Sequence, residues 1–195
     1  MLGKLKNDPW GSFENFINDS DVEKFVGKNF NKYKETWTKI YEKNNSHKRM
    51  KNKAWHEKTF GMSFSWLAFL LWFSWFGYRK MFKGFILTSA ILFSVLIFEI
   101  ISGIDLGTGP YTAAFLSIAI YAKSIYLDHT IKKLAEIKSM APQDKEFFIH
   151  KHGGTSLLNL FAYTIYFLGS FSLFLFITYQ IALATGIGAN FWDLN

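Results

Sequence analysis

Beyond residue 62 the chain is built from long apolar runs, at 63–78, 84–102, 110–127 and 157–188, joined by polar or charged connections. Before that the pattern differs. Val22, Val26, Phe30, Tyr33, Trp37 and Ile40 recur at steps of three or four, and Lys24, Lys28, Lys32, Lys34 and Lys39 fall between them. That period predicts a cationic amphipathic helix over about 21–43. Ser20 and Glu23 have the spacing of a capping box at its start. Residues 9–18 predict a short surface helix carrying Trp10, Phe13, Phe16 and Ile17. The apolar stripe of the longer helix has two outlets: a lipid headgroup plane, or the protein's own cytoplasmic face or a partner. Residues 44–58 read as a basic linker in which His47 and His56 are solvated.

The run 63–78 has 16 residues, about 24 Å as a helix against a hydrocarbon core of roughly 30 Å. It is rich in Trp and Phe, which favour a membrane interface. The next run, 84–102, has the length of a span, and the turn after it holds Gly103, Gly107, Gly109 and Pro110. Pro110 suits the first turn of a third helix. Ile131, Leu134 and Ile137 keep its apolar face going, so 110–127 extends to about 140. Pro142 ends it and opens a short helix over 143–152, which Gly153-Gly154 breaks. Thr155 or Ser156 then caps the last run. With 32 residues, 157–188 exceeds one crossing, so it tilts, protrudes or ends early with 184–194 as an outer tail.

Composition and charge turn this pattern into a topology. Half of the chain is hydrophobic, 19% is aromatic and the net charge is +7. Thirteen Lys or Arg lie in residues 1–62, and none lies in 103–109 or 187–195. If 63–78 crossed the bilayer, the positive-inside rule would fail at every connection. If it dips in and returns, or lies flat, 1–62, 79–83 and 124–156 all fall in the cytoplasm and the rule holds throughout. The expected fold is therefore an all-α integral membrane protein with three transmembrane helices and one aromatic re-entrant or interfacial helix. The cationic region 1–62 precedes the membrane domain 63–195, and the C-terminus is periplasmic or external. The basic excess is assigned to anionic lipid and not to nucleic acid. With no cysteine, thiolate and disulfide chemistry is excluded. The polar start has no apolar signal-peptide core.

Five strings carry a resemblance: Phe25-Val26-Gly27-Lys28-Asn29 with Tyr33; Ser65-Trp66-Leu67-Ala68-Phe69; Trp75 with Tyr78-Arg79-Lys80-Met81-Phe82; His129-Thr130-Ile131-Lys132-Lys133; and Gly153-Gly154-Thr155-Ser156. Over about residues 21–160 the chain resembles a family of bacterial membrane proteins known as domain of unknown function 2628. The family pattern has Gly-Pro inside the aromatic run, where this chain has Trp72 and Phe73. That departure removes the obvious helix breaker and favours a flat interfacial helix or a plain span. The resemblance implies bacterial inner-membrane placement and brings no activity or catalytic residue.

Candidate chemistry is sparse. Glu99 is the one carboxylate well inside a span, where an acid needs a proton or a partner. Near the outer end of its helix it can be wetted or take hydrogen bonds from the turn. Lys123 lies at the opposite face and snorkels. Lys48, Arg49, Lys51, Lys53, Arg79, Lys80 and Lys83 are the candidates for contact with lipid headgroups or an anionic surface. His129, His150 and His152 are metal-ligand types, but their spacing forms no local site and neither a metal nor a cofactor is expected. Gly153-Gly154-Thr155-Ser156 offers backbone N–H groups to a phosphate but lacks the rest of a P-loop. No nucleophile–base pair is present. The function expected is a non-enzymatic accessory or scaffold subunit of an inner-membrane assembly, with lipids and other membrane subunits as partners. The alternatives are a homo-oligomeric ion or proton channel using Glu99, and a lipid-interface enzyme or lipid-binding protein.

Overall fold

The computed structural model describes residues 8–50, 52–186 and 192. Lys51 and the tail positions 187–191 and 193–195 lie outside the described residues, and so does the expectation that the C-terminal end is a tail on the outer side. Among the described residues the fold is helical, with no strand. Contacts divide the chain into two units, Met1–Leu70 with Ile118–Thr155 and Leu71–Ser117 with Ser156–Asn195.

In the first unit, α1 (Phe13–Ile17) starts where Ser12 Oγ accepts the Asn15 N–H. Its apolar residues are not on the surface as expected. Phe13, Phe16 and Ile17 are buried with Trp10, and Phe16 meets the edge of the Trp10 ring at 5.0 Å. Helix α2 (Ser20–Val26) is capped by the Asp19 side chain, one residue ahead of the expected capping box. The single helix expected over 21–43 is two helices. Gly27, at φ +76°, ends α2, and after a 3-10 turn the chain re-enters helix as α3 (Phe30–Asn45). Left-handed backbone is nearly free for glycine and stops an α-helix. The apolar stripe nonetheless holds across the break, since Val22, Val26, Phe30, Tyr33, Trp37 and Ile40 are all buried.

What covers that stripe is protein. Trp37 is fully buried, donates its indole N–H to the Lys123 carbonyl at 3.0 Å, and has its ring 6.0 Å from Tyr126. Residues 44–58 are likewise no open linker. They form 3-10 turns at Lys48–Met50 and Trp55–Thr59, and Trp55 packs 5.5 Å from Phe16. Even Lys58 is buried, its ammonium donating to Asn45 Oδ1 at 2.8 Å. The spine of the unit is the second half of α7 (Gly109–Lys138), which buries Tyr126, Leu127, Thr130, Ile131, Leu134 and Ile137. Against it lies non-helical chain. Ser63 and Ser65 donate their N–H groups to Ile120 and Ala119 at 2.9 Å, and Ser124 Oγ both accepts from and donates to Gly61. Helix α8 (Pro142–His152) begins with its proline in the first turn and closes the unit.

The run 63–78 is broken. It forms α4 (Trp66–Leu71), which carries the chain across the unit boundary, and α5 (Ser74–Tyr78). Between them Trp72 stands at φ +51°, a rare conformation for a bulky residue. The helix thus breaks without glycine or proline, at the two positions where the resembled family has them. At 6 and 5 residues neither piece approaches the roughly 20 that a span needs.

In the second unit, α6 (Phe82–Ser102) and α9 (Leu157–Thr185) are long and apolar enough to cross a membrane. Helix α9 is capped by Ser156, which accepts the Asn159 N–H, and ends at Gly186 in left-handed conformation. Helix α5 packs along its first turns. Ser74 and Thr164 hydroxyls meet at 2.8 Å, the Ser156 N–H donates to the Tyr78 carbonyl at 2.9 Å, and the Phe73 and Phe167 rings lie 4.0 Å apart. Gly77 makes that approach possible, because a Cβ there would sit 2.8 Å from the Asn159 carbonyl oxygen.

Candidate functional site

The turn after α6 is built around Glu99. Gly103, at φ +67°, caps α6 by donating its N–H to the Glu99 carbonyl at 2.9 Å. Asp105 then accepts the Gly107 N–H at 2.7 Å, and Gly107 takes a second positive φ of 64°. The two glycines reverse the chain and bring Leu106 and Tyr111 back to the end of α6. The Leu106 N–H donates to Glu99 Oε1 at 3.1 Å, and the Tyr111 O–H makes a short hydrogen bond to Oε2. Glu99 is 5% exposed and both carboxyl oxygens are occupied. Beside this clasp an apolar groove is lined by Ala90, Ile91, Ser94, Val95, Phe98, Leu106 and Pro110. Sequence reasoning reached Glu99 and a hydrogen bond from the turn, but not Tyr111. The available signal was a hydroxyl in the first turn of the helix that a Gly-rich reversal must fold back.

The candidate cations differ in exposure. Lys48, Arg49, Lys53 and Lys83 are exposed, with Lys53 3.8 Å from Glu57. Lys80 is half-buried at φ +57°, and burial holds its amine below the usual lysine range. Arg79 corrects the expectation of an exposed basic residue. Its side chain is 1% exposed, with the guanidinium 5.8 Å from the Tyr78 ring, so it is part of the interior. An arginine following an aromatic run reads as an interface anchor in sequence; here it caps the end of α5, where Arg79 and Lys80 donate their N–H groups to the Trp75 and Gly77 carbonyls.

Among the described residues no three His, Cys, Asp or Glu side chains gather as a metal site. His129 lies with its ring 6.5 Å from Tyr126 and 6.1 Å from Phe25, and His152 stacks 6.0 Å from Phe148. His56 is not solvated: both ring nitrogens are buried without a hydrogen-bond partner, and its ring meets Trp55 at 5.8 Å. Lys123 reaches Ser63 Oγ at 3.3 Å. The Gly153-Gly154 N–H groups are already committed. Gly154 donates to the Phe25 carbonyl at 2.6 Å, Gly153 to the Ile149 carbonyl at 2.8 Å. A Cβ on Gly153 would lie 2.6 Å from the Phe25 oxygen, so the glycine pair is a close-packed junction of α8 with the end of α2.

No family model, curated protein or solved structure matches the chain. The functional reading therefore rests on the residues themselves. They offer a carboxyl clasp in one unit and a folded basic region in the other.

Proposed function

We propose that the protein is a non-catalytic accessory or scaffold subunit of a bacterial inner-membrane assembly. In this reading α6, the first part of α7 and α9 span the bilayer, and α4 and α5 form an aromatic re-entrant pair. The basic N-terminal unit lies in the cytoplasm, and the C-terminus lies on the periplasmic or external side. One observation carries the proposal: of the 29 residues of α9, only Phe167 and Ala182 are buried. Such a helix needs a nonaqueous cover along nearly its whole length. Its exposed side mixes Ile165, Leu168, Leu173 and Phe176 with Gly169 and Ser172, a composition that lets another helix backbone approach closely. The Glu99 clasp favours this reading over a channel, because its carboxyl oxygens are turned to donors of their own hairpin and not to an open path.

The test is native mass spectrometry of the protein extracted from its own membranes in mild detergent. The reading predicts a heteromeric particle of fixed stoichiometry. It also predicts that Gly169→Leu strips the partners and leaves the protein folded, since nothing lies within 4 Å of a Cβ at that position. A particle of this chain alone overturns the accessory role, and a symmetric homo-oligomer puts the channel reading in its place.

A further inference from the structure

The non-helical chain that leads into α4 alternates small residues with large apolar ones. Gly61, Ser63 and Ser65 form its inner side. The two serines donate their N–H groups to α7 carbonyls, and a Cβ on Gly61 would lie 2.8 Å from Ile40 Cγ2. Phe60, Met62 and Phe64 take the other side, as alternate residues of an extended chain do, and all three are exposed. Trp66 continues the strip at the start of α4. Met62 is 73% exposed and Trp66 71%. The Tyr121 ring of α7 stacks on Phe60 at 5.1 Å, and Phe64 meets Trp66 edge to face at 5.0 Å. Lys123 joins the same edge through its contact with Ser63 Oγ. Glu35, whose charge acts on Lys123, is itself paired with Lys39 at 2.6 Å.

Charge indicates what covers the strip. Residues 1–70 and 118–155, the unit that carries it, hold 19 Lys or Arg against 12 Asp or Glu, and the rest of the chain holds 3 of each. An exposed aromatic edge on the unit with all of the positive excess suits a surface that is apolar within and anionic at its rim. Aromatic rings beside a lysine whose stem runs along them match the composition of a membrane interface. We propose that Phe60, Met62, Phe64, Trp66, Tyr121 and Lys123 form a lipid-facing edge that seats the basic unit in an anionic phospholipid leaflet. The rings enter the headgroup–acyl boundary, and the Lys123 ammonium donates to a lipid phosphate. This membrane contact begins upstream of the apolar run at 63–78, and it rests on the membrane placement proposed above.

Spin labels on single cysteines test it in the full chain, reconstituted in vesicles of phosphatidylcholine and phosphatidylglycerol. Met62→Cys reports the strip. Ser46→Cys, exposed in the basic unit, reports water, and Leu173→Cys, exposed on α9, reports the hydrocarbon. Collisions with oxygen and with a water-soluble nickel chelate measure depth. The proposal predicts that the Met62→Cys label lies at the headgroup–acyl boundary, between the other two. A Met62→Cys label as open to nickel as Ser46→Cys, or shielded from both reagents by a protein partner, overturns the lipid-facing edge while Leu173→Cys still reports hydrocarbon. A Leu173→Cys label in water overturns the membrane placement itself. Lys123→Gln is expected to shift the Met62→Cys label towards water, and Lys123→Arg, which keeps the charge, is expected to leave it in place. Equal effects of the two substitutions, or none from either, overturn the role given to Lys123.

Discussion

At the residue scale, the best-defined electrostatic feature joins the end of α7 to the start of α2. Lys138 places its ammonium 2.7 Å from Asp19 and 3.2 Å from Asp21, and Asp19 also accepts the Trp10 indole N–H at 2.7 Å. Burial alone pushes the Asp19 carboxyl up. Hydrogen bonds from Lys138, the Asp21 N–H and Trp10 outweigh it and leave the carboxyl below its ordinary range. For Lys138, burial pulls the amine down, and the two aspartates more than reverse that. A depressed acid stabilises the fold above its unfolded pKa, and a raised amine does so below its own. The contribution is therefore present from about pH 5 to about pH 10 and is lost as pH falls through the Asp19 value. Lys138→Met is expected to cost about 1 kcal/mol at neutral pH. Thermal melts should show its gap from the wild type closing below about pH 4; a gap undiminished in strong acid would refute the assignment. None of this was legible in the sequence, because the partners meet only after α7 folds back on α2. Glu99 was legible for the opposite reason: a lone acid in an apolar run stands out whatever the tertiary structure.

At the element scale, the long periodic helices could be read from the sequence and the breaks could not. Helices α6, α7 and α9 follow apolar runs, α8 is set off by Pro142 and Gly153-Gly154, and the bounds of all four fall within a few residues of those the pattern predicts. The cut at Gly27 depends on a backbone conformation that a helical stripe running through it conceals. The cut at Trp72 has no local signal, and contacts with Phe73 and Phe115 rings at 5.0 and 5.8 Å accompany the strained turn. Residues 44–58 looked like a linker because Trp55 finds its cover in Trp10, Phe13 and Phe16, far away in the chain. The α5–α9 junction can be tested directly. Gly77→Ala drives a methyl group onto the Asn159 carbonyl and the Tyr163 ring. It is expected to destabilise that junction by roughly 1–3 kcal/mol. Hydrogen exchange should then rise in α5 and the first turns of α9 while the first unit is unchanged; uniform protection would count against the packing described.

At the scale of the whole molecule, the proposed topology has the aromatic run 63–78 entering the bilayer without crossing it. The charge pattern supports it, since only a non-crossing segment leaves 1–62, 79–83 and 124–156 on one side. In the structure the run is two helical pieces of 6 and 5 residues, against the roughly 20 that a span needs. The absence of cysteine from the sequence allows single thiols to be placed and read one at a time. Ser46 and Lys83 are exposed on either side of the run, and Thr108 is exposed in the turn after α6. The decisive measurement is labelling of Ser46→Cys, Lys83→Cys and Thr108→Cys in spheroplasts with a membrane-impermeant maleimide, before and after permeabilisation. The account predicts that Thr108→Cys reacts at once and that Ser46→Cys and Lys83→Cys both react only after the membrane is opened. Immediate reaction at Lys83→Cys, with Ser46→Cys still protected, would show that the run crosses and would contradict the topology.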